Sequence, residues 1–267
     1  MWEELLALVA LLATCAQAFH FGGAPLQSRR HSPNALSMKM EIGGGCYVAL
    51  TTPFNEDGAI DQAGLRNLLQ WHVASGTDGI VSLGTTAEAA MLSKGEKQLV
   101  LDITMEEVGG KLPVVVGCGT INPTDVVDNL KMAEATGADA SLVVTPYYVK
   151  PTQKGLINFY QHVAGAVDLP MVLYNVPGRT QCDMKPETVA TCSQIPGVVG
   201  IKEATGDLSR GEAIRSLCGK DFLVYSGDDG TGTELVLAGG DGVISVTANV
   251  APSLMAQMIA CARQGDR

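Results

Sequence analysis

Aromatic residues are scarce in this 267-residue sequence, at 5%, and its 28 acidic residues outnumber the 18 basic ones. The formal net charge of -10 repels phosphate backbones, so we predict no nucleic-acid partner. The seven cysteines include no CxxC pair, and the four histidines show no metal-ligand spacing. Scattered cysteines of odd number are typical of buried thiols in a reducing compartment. The sequence therefore predicts neither disulfides nor a metal site.

The most apolar run near the N-terminus, LLALVALLA at 5–13, is too short to span a bilayer. It is followed by the signal-peptidase pattern Ala16-Gln17-Ala18, by Phe19, and by an extension to residue 40 that is basic and free of acid. This order resembles the bipartite presequence of algae with complex plastids. We predict that residues 1–40 direct import into the plastid stroma and that the mature form has no membrane segment. A cytoplasmic or secreted location is the alternative.

From residue 41 onward, short apolar runs alternate with longer amphipathic stretches. Eight runs are continuously apolar, as expected for strands covered on both faces: 46–50, 79–83, 113–117, 140–144, 170–174, 198–202, 222–226 and 242–246. Helix signals lie between them, such as a capping box at Ser93 and Glu96 and a first-turn proline at Pro123. Eight strand-then-helix units predict one α/β domain over residues 41–267, a (β/α)₈ TIM barrel, rather than a doubly wound sheet. Its last helix is predicted at 253–263.

Such a barrel builds its active site at the carboxyl ends of its strands. Lys202 ends the sixth run, VVGIK, and the strand period of two directs Lys202 and Val198 inward and Glu203 to the other side. A lysine in apolar surroundings loses its proton more easily, and the neutral amine can attack a ketone to form an imine. From position alone, a structural charge whose ammonium reaches the barrel mouth is an equal alternative.

Two further strand ends carry candidate site residues. Tyr174 ends the fifth run and can shuttle protons beside Lys202, although a core tyrosine with a solvated tip is equally compatible. Thr85 and Thr86 offer hydroxyls and consecutive N–H groups suited to a carboxylate. Arg179 follows Pro177-Gly178 and can hold a second carboxylate, but a lone loop arginine is more often a surface charge.

Several strings then appear in a characteristic order: GTTAEA (84–89), TPYY (145–148), LYNVPGRT (173–180), GIKEATGDLSR (200–210), SGDD (226–229) and GVISVTANVAP (242–252). Together they resemble the dihydrodipicolinate synthase family, whose members are Schiff-base pyruvate aldolases. The resemblance runs from about Val48 to the end of the chain. It implies condensation of pyruvate with L-aspartate 4-semialdehyde, in the diaminopimelate route to lysine, with no metal and no organic cofactor.

The resemblance also implies a role for each site residue. Lys202 would form the Schiff base, and Arg179 would bind the carboxylate of aspartate semialdehyde. Tyr174, Thr85 and Tyr148 would relay protons, with Tyr148 reaching in from a neighbouring subunit of a dimer of dimers. Thr86 would hold the pyruvate carboxylate, and the Ile244 carbonyl would line the pocket.

Other functions remain open at this point. Sialate lyases and 2-keto-3-deoxy sugar acid aldolases share the lysine and tyrosine, but they tend to differ at the arginine. A catalytically silent relative would bind a keto acid or a partner subunit without turnover. A phosphate-binding barrel is suggested by the glycines near 227–230 and 239–240, but two aspartates in the first loop disfavour it.

The sequence departs from the family pattern at three places. Ala87 stands where the family usually has glycine, so we expect its backbone to need a conformation that glycine adopts more easily. The pocket that binds inhibitory lysine in some relatives keeps Tyr147 but is otherwise altered, and we predict weak or absent inhibition by lysine; the altered positions are Ala89, Lys94, Lys97, Ile121 and Asp125. The family's small C-terminal helical domain is expected to be mostly lacking.

Overall fold

The structure, a computed structural model, describes residues 39–266 and forms a closed barrel of eight parallel strands in chain order. Each strand lies within one residue of a predicted apolar run, so the TIM-barrel prediction is confirmed. The strands are β1 (Gly45–Ala49), β2 (Gly79–Ser82), β3 (Val114–Gly117), β4 (Ala140–Val144), β5 (Met171–Asn175), β6 (Val198–Glu203), β7 (Leu223–Ser226) and β8 (Gly242–Ser245).

Helices follow the strands and cover the outside of the barrel. They are α1 (Gln62–Ala74), α2 (Lys94–Val108), α3 (Pro123–Thr136), α4 (Gln153–Ala164), α5 (Pro177–Thr180), α6 (Pro186–Cys192), α7 (Leu208–Cys218), α8 (Gly232–Leu237) and α9 (Pro252–Arg263), with a 3₁₀ turn at Thr247–Asn249. The capping box at Ser93 and the first-turn proline at Pro123 are both present. The last helix matches its predicted span. The short helix α5, in the middle of the YNVPGRT string, was not predicted.

Apolar side chains form two separate layers. The smaller layer fills the barrel interior and includes Tyr47, Val172 and Tyr225, with the two tyrosine rings packed edge to face. The larger layer lies between the strands and the helices. Alternation of side chains along each strand supplies both layers, which is why the strands read as continuously apolar.

A register shift in β6 decides which of its residues face the interior. Val198 pairs with Met171 but Gly200 pairs with Val172, so β6 carries one extra residue at this point. Val198 therefore packs in the outer layer and Val199 against the interior, and the predicted inward direction of Val198 is wrong. Beyond the shift, Lys202 lies beside the interior residue Tyr174, and Glu203 faces outward, as predicted.

The remaining sequence expectations concern the chain ends and the thiols. The predicted presequence lies outside the described residues except for Lys39 and Met40, which hydrogen bond to Asp168 and Asp139. The structure describes the chain as far as Asp266, three residues after α9, and the expectation about a C-terminal helical domain stays a prediction. Four of the six cysteines in the described range are buried, as expected of small apolar side chains. Within residues 39–266, no helix is both long and apolar enough for a membrane span.

Candidate active site

A cavity of about 320 Å³ opens at the carboxyl ends of β2 to β5. Thr85, Tyr174 and Arg179 are part of its wall, together with Tyr147 and Lys97. These side chains come from the connections after β2, β4 and β5, from β5 itself and from the first turn of α2. The barrel topology therefore assembles groups that lie far apart in the sequence, at the end where such barrels carry their active sites.

Lys202 is nearly buried, with 5% of its surface exposed. Its Nζ lies 4.6 Å from the centroid of the Tyr174 ring, which is a favourable position for a cation. Burial lowers the pKa of the Lys202 amine from 10.5 to about 8; the Asp229 charge opposes this decrease and the Arg179 charge adds to it. Roughly a tenth of the amine is therefore neutral at pH 7, the form that a nucleophile requires.

Tyr174 pairs with Lys202 across the β5–β6 ladder and forms the part of the cavity wall next to it. Burial raises the pKa of the Tyr174 phenol, while the charge of Arg179 and a hydrogen bond with Thr85 oppose that rise. The phenol consequently stays protonated at neutral pH and can donate to a developing oxyanion. Lys202 itself lies beside Tyr174 rather than on the cavity wall.

The Thr85–Thr86 segment is a tight turn at the end of β2. The N–H groups of Ala87 and Glu88 are used inside the turn, by the carbonyls of Gly84 and Thr85. Within the described chain, the N–H groups of Thr85 and Thr86 donate to no protein acceptor. Two free donors beside two hydroxyls suit a carboxylate, as the sequence predicts.

The expectation for Ala87 is wrong. Its φ is not positive, so an alanine fits without strain; the left-handed positions in this connection are Leu83 (φ 55°) and Glu88 (φ 56°). The Ala87 side chain is buried and its carbonyl accepts a hydrogen bond from the Thr52 hydroxyl, at 2.9 Å. The turn is therefore well supported with alanine in place of glycine.

Backbone strain is concentrated around the site. All five non-glycine residues with positive φ in the described chain lie in the connections after β2, β4 and β5: Leu83, Glu88, Tyr148, Lys150 and Gln181. Such conformations carry strain of order 1–3 kcal/mol each and persist where the surrounding structure enforces them. The same three connections carry the threonines, Tyr148 and Arg179.

Arg179 is held by the short helix α5, which begins at Pro177. The Thr180 hydroxyl donates to the Val176 and Cys182 carbonyls and accepts from the Cys182 N–H, so both ends of the connection are tied together. Arg179 is exposed on the cavity wall, and no carboxylate of the described residues lies within ion-pair distance of it. A free guanidinium facing a cavity is suited to a substrate carboxylate.

Besides Lys202, three of the predicted site residues do not form part of this cavity wall. Tyr148 is 86% exposed and lies outside the cavity. Thr86 is half-buried beside Thr85, and Ile244 is buried in the interior layer next to Tyr47. Their predicted roles stay predictions.

A buried polar network behind β5 and β6 had no role assigned from the sequence. The Asn175 Nδ2 group donates to Glu203 at 3.0 Å and to Asp183 at 3.1 Å, and Arg210 bonds Asp183 and the Met184 carbonyl. Asn175 and Glu203 directly follow Tyr174 and Lys202 and pair with each other across the ladder. The network therefore fastens the ends of both strands from the outer side.

The matches to known proteins agree with this geometry. The sequence profile of the Dihydrodipicolinate synthetase family matches residues 43–267. A 4-hydroxy-tetrahydrodipicolinate synthase from Methylococcus capsulatus is 53% identical over 84% of this chain and 77% of its own. The chain belongs to the dihydrodipicolinate synthetase family.

Two solved structures place this family member among its relatives. The pyruvate-complexed, chloride-inhibited dihydrodipicolinate synthase of Acinetobacter baumannii is 44% identical and superposes with a TM-score of 0.83, covering 84% of this chain and 77% of its own. A structure described as the first monomeric dihydrodipicolinate synthase variant is 40% identical with a TM-score of 0.82, covering 84% and 76%. The dihydrodipicolinate synthetase fold thus accounts for the whole barrel, and the family resemblance drawn from the sequence is confirmed.

The buried Lys202 amine is expected to lower the stability of this family member while it serves the function. In the unfolded chain the Lys202 amine keeps its proton up to pH 10.5, but in the folded chain only up to about pH 8. Below pH 8 the folded state therefore bears the full penalty of a buried charge, and the penalty disappears as the pH rises from 8 to 10.5. We expect Lys202→Met to abolish activity and to raise the free energy of unfolding at pH 7 by up to about 3 kcal/mol.

Urea unfolding at pH 7 and at pH 10 measures this gain, which should be smaller at the higher pH. Lys131→Met, at an exposed position on α3, is the matched control and should change the free energy of unfolding by less than about 0.5 kcal/mol. A Lys202→Met variant that is less stable than the parent at pH 7 would contradict the expectation.

Proposed function

We propose that Lys202 is the nucleophile with which this chain condenses pyruvate and L-aspartate 4-semialdehyde. The chain is a lyase of the 4-hydroxy-tetrahydrodipicolinate synthase type, in the diaminopimelate route of lysine biosynthesis, as its family membership and its 53% identity to such an enzyme indicate. The observation that carries the assignment to Lys202 is its buried amine, with a pKa near 8, against the Tyr174 ring.

The first half of the reaction forms the imine. The neutral Lys202 amine attacks the ketone carbon of pyruvate, a C–N bond forms, and the ketone oxygen takes a proton from the Tyr174 phenol. The Tyr174 phenolate takes a proton from the nitrogen and passes it to the carbinolamine hydroxyl. This group leaves as water while the nitrogen lone pair completes a cationic C=N bond. With a pKa near 8, roughly a tenth of the amine is neutral at pH 7.

The second half forms the carbon–carbon bond. Loss of a proton from the pyruvate methyl group converts the cationic imine to an enamine, whose carbon attacks the aldehyde of the semialdehyde. The aldehyde oxygen takes up a proton and becomes the 4-hydroxyl group. The amine of the bound semialdehyde then displaces Lys202 from the imine carbon, which closes the ring and regenerates the enzyme.

The cavity offers separate positions for the carboxylates of the two substrates. The free N–H groups of Thr85 and Thr86 suit the carboxylate of pyruvate, with the Ile244 carbonyl further inside the barrel. The Arg179 guanidinium, on the same wall as Tyr174, suits the carboxylate of the semialdehyde. Thr85 and Tyr174 lie on the same cavity wall, as a proton relay between them requires.

Borohydride reduction in the presence of pyruvate tests the nucleophile. We expect a stable adduct on Lys202, detected by intact mass and peptide mapping, that is absent without pyruvate and absent in Lys202→Ala. Arg179→Ala should retain the adduct but raise KM for aspartate semialdehyde by at least about tenfold, because one charged hydrogen-bonding partner is lost.

Arg66→Ala is the matched control for the second variant, since Arg66 pairs with Glu106 and Glu107 on the outer helices. It should leave both the adduct and KM unchanged. A folded chain that yields no pyruvate adduct would rule out Lys202 as nucleophile and favour a catalytically silent relative.

We further propose that lysine inhibits this enzyme weakly or not at all. Lys97 lies half-buried on the cavity wall beside Tyr147, so the ammonium groups of free lysine would meet a like charge there. Steady-state rates at increasing lysine concentration measure the effect. Loss of most activity at low millimolar lysine would contradict it.

We also propose assembly into a dimer of dimers in which Tyr148 completes the site of a neighbouring subunit. Tyr148 is highly exposed, has a left-handed φ of 70° and is followed by the exposed Val149, which is unusual for a surface with no contact to make. Sedimentation of the purified chain gives the subunit number. In mixtures of Tyr148→Phe and Lys202→Ala chains, regained activity would support a shared site, and its absence would contradict one.

The proposed location is the plastid stroma, reached by means of residues 1–40. What supports it is the sequence order of apolar run, cleavage pattern, Phe19 and acid-free extension. Import of a fluorescent fusion to residues 1–40 into a complex plastid tests this, and secretion of the fusion would contradict it.

A further inference from the structure

The turn after β7 packs directly on Lys202. A Cβ atom added to Gly227 would lie 2.6 Å from Cε of Lys202 and 3.0 Å from its Cγ. The Gly227 N–H donates to the Glu203 carbonyl at 2.7 Å, which fixes the turn against β6. Only glycine allows this close approach, and it brings the two acidic residues that follow it to the Lys202 end of the barrel.

The second of these acids, Asp229, is held rigidly by one carboxylate oxygen. Its Oδ2 accepts from the N–H groups of Val246 and Thr247 at 3.0 and 2.9 Å, and from the Thr247 hydroxyl at 2.9 Å. Its Oδ1 is buried and has no hydrogen-bond donor among the described residues. A buried carboxylate oxygen without a partner is energetically unfavourable, and such groups call for an explanation.

The charge of Asp229 acts on Lys202. It raises the pKa of the Lys202 amine, against the effect of burial. The neighbouring Asp228 is used differently, because its carboxylate caps the start of α8 through the Thr231 N–H and hydroxyl at 3.1 and 2.8 Å. Both acids leave Oδ1 without a donor among the described residues, but only the Oδ1 of Asp229 is buried.

The cationic imine on Lys202 keeps a positive charge that the free amine can lose. The amine can release its proton and become neutral when buried. When the carbinolamine C–O bond breaks and water leaves, the nitrogen keeps one positive charge until a proton is lost from the pyruvate methyl carbon. A fixed opposite charge in a site of low dielectric stabilises such a cation far more than solvent-exposed groups do.

We propose that Asp229 is the counter-ion of the cationic imine on Lys202. It acts through its charge on Lys202 and is therefore a positioning residue rather than one that contacts the reacting atoms. The proposal rests on the role of Lys202 given under Proposed function. It explains why the free carboxylate oxygen of Asp229 is buried and why the turn begins with a glycine packed on the lysine.

The test compares Asp229→Asn with Asp228→Asn in the full chain. Asparagine keeps an oxygen for Val246 and Thr247 but removes the charge. We expect the fraction of Lys202 trapped by borohydride at a fixed subsaturating pyruvate concentration to fall roughly tenfold in Asp229→Asn. The rate of borohydride trapping decreases at low pH as the Lys202 amine takes up its proton, and this decrease is called the acid limb. In Asp229→Asn the acid limb should lie about one pH unit lower, because the Lys202 pKa falls when the anion is lost. Asp228→Asn should change neither quantity.

The direction of the acid limb separates the charge from a structural effect. A loosened turn would hydrate Lys202 and move the limb up, towards the ordinary lysine pKa of about 10.4. Asp229→Glu, which keeps the charge, should restore most of the adduct. Asp229→Ser, a second neutral variant with one acceptor oxygen, replaces Asp229→Asn if the latter does not fold.

Each outcome decides the question. An Asp229→Asn chain with an unchanged adduct, a limb that moves up, or the same changes in Asp228→Asn would overturn the counter-ion while leaving Lys202 as nucleophile. Absence of any pyruvate adduct in the parent chain would overturn the Lys202 mechanism and the counter-ion together.

Discussion

The burial of one amine, that of Lys202, is the constraint around which the site is organised. A charged ammonium is unfavourable inside the apolar barrel, so the pKa of the Lys202 amine falls to about 8 and part of it is neutral at pH 7. The Tyr174 ring covers it on one side and Gly227 lets the backbone pack on another. Each contact that excludes water from Lys202 also increases its reactivity, so stability and function oppose each other at this residue.

The same opposition between stability and function holds for the strained connections around the rest of the site. The described chain places its left-handed non-glycine residues only after β2, β4 and β5, the connections that also contain Thr85, Thr86 and Arg179. Regular strands and capped helices elsewhere provide the stability that keeps these connections in place. The hydrogen bonds of Thr180 illustrate this, because one buried hydroxyl closes the loop that presents Arg179.

The sequence predicted the barrel well because strand periodicity and helix caps are local signals. It placed Lys202, Tyr174, Thr85 and Arg179 at strand ends for the same reason. It failed at Val198, because the extra residue in β6 changes the pairing without changing the composition. It failed at Ala87, because left-handed backbone fell instead on Leu83 and Glu88, whose side chains give no sign of it.

The role proposed for Asp229 could not be predicted from the sequence either, since three acids lie near Lys202 along the chain or in space. Glu203 is next to Lys202 in the chain, but strand alternation puts it on the outer side of the sheet, where Asn175 and Arg210 occupy its carboxylate. Asp228 is engaged by Thr231. Asp229 alone of the three keeps a buried carboxylate oxygen without a donor in the described chain while its charge reaches Lys202. Proximity in the sequence would thus favour Glu203 as the counter-ion of Lys202, whereas the hydrogen bonding in the structure favours Asp229.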